Sequence, residues 1–368
     1  MNEAVNAELD TIGSAPCERL LGTDPVTVLS GNLATICSRA VPLGNAPQSS
    51  ATGAATLSSM SSSAAAQTQD QELREETQLG SQWTLFLTAE FEQLDRDVTD
   101  AADGFDSNAA RLLAGTTYAL NPNANMGLAF TTQRHSGDYT NGGDFEANTN
   151  GVRLLASWYV SDRAFLQANA GYDKVSSERS RAAAFEEYQN GGLIFFQEGQ
   201  PISDFDYNQT ELSLIAGYEY SRQSVTLTPQ LGITWLNIDY GTYSETDDSG
   251  LALTYHDDER ESLQSALGLQ ATMAIGAGFG VVIPQLDLHW IHEYEDKSRE
   301  VNVSFTQDTR SAQFAYDTEA GDRNFFELGA GASFVFSHGN QAFVRLQTLL
   351  GHEFYDNYIV AAGVNIEL

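Results

Sequence analysis

From Gln82 to the C-terminus the chain alternates, residue by residue, between apolar and polar side chains. In Trp83, Leu85, Leu87, Ala89 and Phe91 one parity is apolar, while Thr84, Phe86, Thr88, Glu90 and Glu92 are mostly polar. A period of two is the signature of a strand with chemically different faces. The pattern returns in Val152, Leu154, Ala156, Trp158 and Val160, in Leu212, Leu214, Ala216, Tyr218 and Tyr220, and in Val344, Leu346, Thr348 and Leu350. Twelve such segments are predicted, at 82–95, 107–120, 125–138, 146–160, 164–178, 207–221, 224–240, 259–275, 279–297, 324–337, 341–352 and 357–368. Most exceed the roughly 5–6 residues usual in globular sheets. A tilted strand crossing a bilayer needs about 9–11.

The connections alternate as well. Asn121-Pro122-Asn123-Ala124, Ser161-Asp162-Arg163, Ser221-Arg222-Gln223, Gly276-Ala277-Gly278 and Ser337-His338-Gly339-Asn340 are tight. The intervening ones are long and acidic, such as Arg179 to Asp206 and Lys297 to Arg323. An even strand number, short turns on one side and long loops on the other describe a bacterial transmembrane barrel. The expected fold is a 12-stranded antiparallel up-and-down β-barrel over 81–368, preceded by a small N-terminal helical segment. Outward aromatics near strand ends (Trp83, Tyr118, Tyr172, Tyr218, Tyr220, Trp290 and Tyr358) suit interfacial girdles. No apolar run reaches the ~20 residues of a membrane helix. A barrel escapes such a scan because its two faces average out. Strands one and twelve should start and end at the periplasmic side, with the long acidic loops extracellular.

The first 80 residues differ. Residues 1–45 read as short helices punctuated by Pro16, Pro25 and Pro42, with Cys17 and Cys37 expected to be joined as in exported proteins. That closure is worth roughly 3 kcal/mol in the chain-entropy model. Residues 46–80 are a Ser/Ala-rich linker running into helix formers at 64–79. Met1 precedes an acidic stretch with neither a basic nor an apolar leader region. A barrel needs export, so a removed signal is expected upstream.

Fifty acidic residues against 18 basic ones give a net charge of −32, which argues against nucleic acid as a partner. The inward parity carries Arg153, Glu211, Glu219, Asp287, His289, Glu327 and Arg345, expected to line the pore, with Arg345 and Glu327 as a suggested pair. No catalytic, cofactor or metal residues are expected. His135 and Ser136 are adjacent and point to opposite faces, so they cannot form a nucleophile–base pair. Asp287 and His289 share a face but lie mid-strand, and His256 beside Asp257 and Asp258 is the better-placed rim candidate for a barrel hydrolase. Thr246-Asp247-Asp248-Ser249-Gly250 lacks the ligand spacing of a calcium loop.

Several motifs now resemble the autotransporter β-domain family. They are Arg96-Asp97 after strand one, Asp103-Gly104-Phe105-Asp106-Ser107, Asp138-Tyr139-Thr140-Asn141-Gly142-Gly143-Asp144-Phe145, Gly217-Tyr218 and the alternating final strand. The resemblance implies an outer-membrane barrel that exports or displays a segment N-terminal to it, with a helix left in the pore, here at 64–79. It implies outer-membrane lipid, the barrel assembly machinery and periplasmic chaperones as partners. The rival readings are a passive porin-like channel and a barrel hydrolase. Two departures stand out: the chain ends in Leu368 rather than Phe, and about 80 residues are too few for a long β-helical passenger.

Overall fold

The computed structural model describes residues 82–99, 102–189, 192–310, 312–336 and 340–368. The expected N-terminal helices, the Cys17–Cys37 bond and the helix at 64–79 lie outside the described residues. Twelve long strands form the barrel wall: β1 (Trp83–Arg96), β2 (Phe105–Asn121), β3 (Ala124–Tyr139), β4 (Asp144–Tyr159), β5 (Ala164–Ser180), β8 (Ile202–Tyr218), β10 (Val225–Ser244), β11 (Leu253–Met273), β13 (Gly280–Glu293), β16 (Asn324–Phe336), β17 (Gln341–Leu350) and β18 (Tyr355–Glu367). Short pieces β9 (Tyr220–Arg222) and β12 (Ile275–Ala277) prolong β8 and β11 at the short-turn end. Two hairpins complete the described strands, β6 (Ala183–Gln189) with β7 (Gly192–Gly199), and β14 (Glu300–Phe305) with β15 (Gln313–Asp317).

Every neighbouring pair is antiparallel, and β1 closes the ring on β18 from Thr84–Glu367 to Arg96–Tyr355. Closure removes the unpaired edges that an open sheet could not hide in lipid. The outer face carries a continuous apolar band. On β8 it comprises Leu212, Leu214 and Tyr218, on β10 Leu227, Leu231 and Ile233, and on β13 Leu286, Leu288 and Trp290, all exposed. The inner parity at the same height is polar, as in Thr228 and Gln230 of β10.

Towards the long-loop end the polarity inverts without any change of parity. On β8 the outward residues become Asp204, Asp206 and Asn208, while inward Phe205 and Tyr207 are buried. On β10 inward Leu236, Ile238 and Tyr240 replace the polar lining, and Asp239 faces out. Here the strands behave as in a soluble protein. Phe205 stacks on Tyr243 at 4.1 Å between ring centroids, and Tyr243 on Tyr255 at 4.7 Å. Val301, Val303 and Phe305 of β14 and Tyr316 of β15 join the same core. Burial pushes the hydroxyls of Tyr243, Tyr255 and Tyr316 up from their ordinary value. Beside this core Arg181 clamps Glu245 with two bonds of 2.8 and 2.7 Å.

Two expectations need correction. The segments 179–206 and 297–323 are not plain loops, because they hold β6–β7 and β14–β15 and the start of β8. His256 is not in a loop; it lies within β11, its Nε2 2.9 Å from Ser304 Oγ of β14. Its neighbour Asp258 is turned inward and bonded to Arg299.

Just beyond the apolar band, outward carboxylates meet directly across strands. The register pairs Asp356 with Asp95, Asp95 with Asp106, Asp106 with Asp138, and Asp138 with Asp144. Like charges directly opposite oppose pairing, so this row survives because high-dielectric solvent screens it.

Candidate functional site

The interior at the height of the apolar band is the candidate site. The strand pleat sends alternate residues inward, and the sequence places charge there. Two constellations form on different parts of the wall.

The first spans β4, β5 and β8. Arg153 makes a two-pronged contact with Asp173, Nη1 to Oδ1 at 2.8 Å and Nη2 to Oδ2 at 2.6 Å. The fork geometry of guanidinium and carboxylate makes this the strong form of an ion pair. Register explains how two long side chains fit flat against the wall. Arg153 lies opposite Gly171, and Asp173 opposite Gly151. A Cβ at either glycine would overlap the charged group it faces. Glu211, also buried, accepts a bond of 2.9 Å from Asn169 Nδ2. Glu219 stands apart near the short turns, 3.0 Å from the hydroxyl of Tyr159.

The second spans β13, β16 and β17. Asp287 Oδ2 accepts from Arg345 Nη2 at 2.6 Å, so the suggested Arg345–Glu327 pair is replaced by one that reaches two strands across. Gly329 of β16, opposite Asp287, leaves the gap through which the two groups meet. His289 Nδ1 lies 3.7 Å from Asp287 Oδ2 and 4.0 Å from Glu327 Oε1. Its Nε2 is 3.4 Å from Gln230 Oε1.

Residues absent from the sequence-based set also contribute. Asp173 is the partner of Arg153. Glu90 lies 3.8 Å from Arg111, and Glu92 accepts from Asn357 Nδ2 at 3.2 Å. Glu90 and Glu92 sit on the polar parity of the first strand, so the alternation itself carried the signal. Above them a cavity of about 450 Å³ is lined by Glu92, Arg96, Glu261, Glu293, Arg299 and Glu319, among others. It adjoins a gap in the wall. β11 pairs with β13 only from Gln264 and with β14 only up to His256. Arg299 spans the break to Asp258 and to the Glu259 carbonyl. His135 and Ser136 point apart, His135 buried and in edge contact with Phe145 at 5.1 Å, and Ser136 exposed.

The family model described as "Autotransporter beta-domain" matches residues 78–347. Two curated relatives, each called Esterase EstA, from Pseudomonas aeruginosa and Pseudomonas putida, are 24% identical over 231 residues, 61% of this chain. The chain spans 33% of the length of those relatives. Among solved structures, the translocator domain of autotransporter NalP from Neisseria meningitidis superposes with a TM-score of 0.58 at 13% identity, covering 85% of this chain and 99% of that one. The β domain of the Bordetella autotransporter BrkA gives 0.55 at 13% identity, covering 78% and 99%. The transport unit of AIDA-I from Escherichia coli gives 0.52 at 12%, covering 78% and 90%. With a family match over most of its length and a closed barrel of twelve strands, the chain belongs to the autotransporter β-domain family and is a translocator barrel of the Gram-negative outer membrane.

Proposed function

We propose that the barrel delivers the segment preceding β1 to the cell surface, with its long acidic loops outside and its short turns in the periplasm. On this reading residues 64–79 remain in the lumen as a helix. The observation that carries it is the inner wall. Charged groups such as Arg153, Glu211, Glu327 and Arg345 line it, and the chain enters β1 at the short-turn end through Trp83. A segment rich in Ala, Gln and Glu has no apolar stripe for a soluble core, and a polar wall suits it. Outer-membrane lipid covers the apolar band. Periplasmic chaperones and the barrel assembly machinery would shield that band before insertion. The charged wall serves passage. The esterase name belongs to longer relatives, of which this chain spans 33%, and that activity stays with them.

Cysteine labelling in intact cells tests the arrangement. Gln71→Cys should resist a bulky, membrane-impermeant thiol reagent, while Asp248→Cys should react at once. Equal rapid labelling at both positions would remove the lumenal helix. No labelling at position 248 would reverse the proposed orientation of the loops.

A further inference from the structure

We propose that Asp287, His289 and Glu327 form a binding site for one divalent transition-metal ion, of the zinc class, on the inner wall of the barrel. Asp287 and His289 are two residues apart on β13, so they point the same way. The register sets Glu327 of β16 directly opposite His289. One ligand atom from each lies within 4.8 Å of the others. An imidazole with two carboxylates is an ordinary zinc ligand set, with metal bonds of about 2.0–2.2 Å. Side-chain shifts of a few tenths of an ångström would bring these three onto one ion.

The groups are also short of partners. The side chains of Asp287 and Glu327 are 0% and 2% exposed. Even so, Asp287 Oδ1, Glu327 Oε2 and His289 Nδ1 have no hydrogen-bond partner. Buried acceptors left bare are costly, and the three side chains that carry them converge, His289 Nδ1 lying 3.7 Å from Asp287 Oδ2 and 4.0 Å from Glu327 Oε1. Gln230 Oε1, at 3.4 Å, is an acceptor for a proton on Nε2 of His289. That tautomer leaves the Nδ1 lone pair aimed at the two carboxylates. Arg345 holds Asp287 Oδ2, the oxygen 3.7 Å from His289 Nδ1, and so fixes the carboxylate beside the cluster. Such outer contacts commonly orient metal ligands.

The wall is shaped for the cluster. Gly268 faces His289 from β11, and Gly329 faces Asp287 from β16. A Cβ at either position would overlap the side chain it faces. Beside His289, Gln230 and Glu327 lies a cavity of about 40 Å³, room for a water as a further ligand.

The test uses the full chain, folded in detergent, stripped with EDTA and then exposed to Zn²⁺. Excess Mg²⁺ occupies the acidic loops, and Cys17 and Cys37 are reduced and then alkylated to silence them. Wild type should bind one equivalent of zinc. His289→Gln and Glu327→Gln, which remove direct ligands, should weaken binding by at least the roughly 10- to 100-fold typical of losing an outer-shell partner, and Gly268→Ala, which displaces the imidazole, should weaken it as well. His352→Gln, a histidine outside the cluster, should leave binding unchanged. A heat-dependent gel shift checks that each variant is folded. Co²⁺ added to wild type should give visible d–d absorption from a nitrogen–oxygen site, a readout that needs no variant. Wild type without a saturable equivalent of zinc, or without the cobalt absorption, overturns the proposal. So does a folded His289→Gln that binds as wild type does.

Discussion

The barrel has two halves that use the same strands in opposite ways. Within the apolar band, Leu212, Leu214 and Tyr218 of β8 face out, and Glu211 and Ser213 face in. Nearer the long loops, Asp204 and Asp206 face out, and Phe205 and Tyr207 face in. The pleat does not change, so the environment chooses which parity is apolar. In the band, lipid rewards apolar residues outside, and the interior can hold charge because Arg153–Asp173 and Arg345–Asp287 are paired. At the loop end water lies outside, and a packed aromatic core holds the inside. Fully burying an aromatic side chain contributes about 1.5–3 kcal/mol. One half is therefore a membrane protein and the other a small soluble domain built on the same staves.

Three changes probe this division. The largest effect is expected at Arg181, whose side chain and that of Glu245 are each 2% exposed. Arg181→Met leaves a buried carboxylate unpaired, which typically costs about 3–5 kcal/mol. Hydrogen exchange should rise at β10, β11 and β14 while the gel shift of the barrel persists. Arg181→Met with Glu245→Gln should regain most of the loss, since a glutamine can still accept from the Leu253 amide, 2.9 Å from Glu245 Oε2. If exchange rises equally in the lipid-facing half, the two halves are one cooperative unit.

Next is a charge on the same face of one strand at two heights. Leu214→Arg, in the apolar band, should destabilise the barrel in lipid vesicles by about 2–4 kcal/mol, as a basic residue does at the bilayer midplane. Asp204→Arg should change stability by less than about 0.5 kcal/mol, and in the favourable direction, since Glu178 lies opposite it. Equal losses at the two positions, read from denaturant midpoints, would erase the boundary.

The smallest effect concerns His352, between β17 and β18. Burial beside Phe325 and Tyr355 lowers its imidazole from the ordinary 6.5. Its Nδ1 accepts from the amides of Phe354 and Tyr355 at 3.2 and 3.3 Å, which requires the neutral form. A depressed folded value means that this contribution is whole above pH 6.5 and is lost as pH falls through the lowered value. Protease cleavage at 351–354 should quicken from pH 7.5 to pH 5, and His352→Asn should flatten that response. An unchanged pH profile in the variant would assign it to other groups.

The alternation made the lipid-facing half readable, because apolar residues on one parity and tight turns agree there. Strand limits were read short where the polarity inverts. β8 begins at Ile202 rather than 207, β10 runs to Ser244 rather than 240, and β11 starts at Leu253 rather than 259. Past these points acidic outward residues resemble loop, and inward aromatics lose their apolar neighbours in the pattern. The hairpin β14–β15 was hidden in the same way. Its Val301, Val303 and Phe305 alternate, yet the segment is short and flanked by charge. The charged inner residues were legible from parity. Their pairing was not, because the Asp287–Arg345 contact depends on Gly329, a residue with no side chain to announce it.

The row of carboxylates from Asp356 through Asp95, Asp106 and Asp138 to Asp144 fixes how deep the barrel sits. Sinking by one pleat would draw that side of the rim towards hydrocarbon, with several anions losing water together. Rising by the same amount would lift the ring of Trp83, Tyr118 and Trp158 out of the opposite interface and wet the apolar residues above it. Each displacement meets a restoring force of a different kind, electrostatic at one edge and hydrophobic at the other. The barrel thus floats at one waterline, and the thickness of the surrounding bilayer must adjust to it.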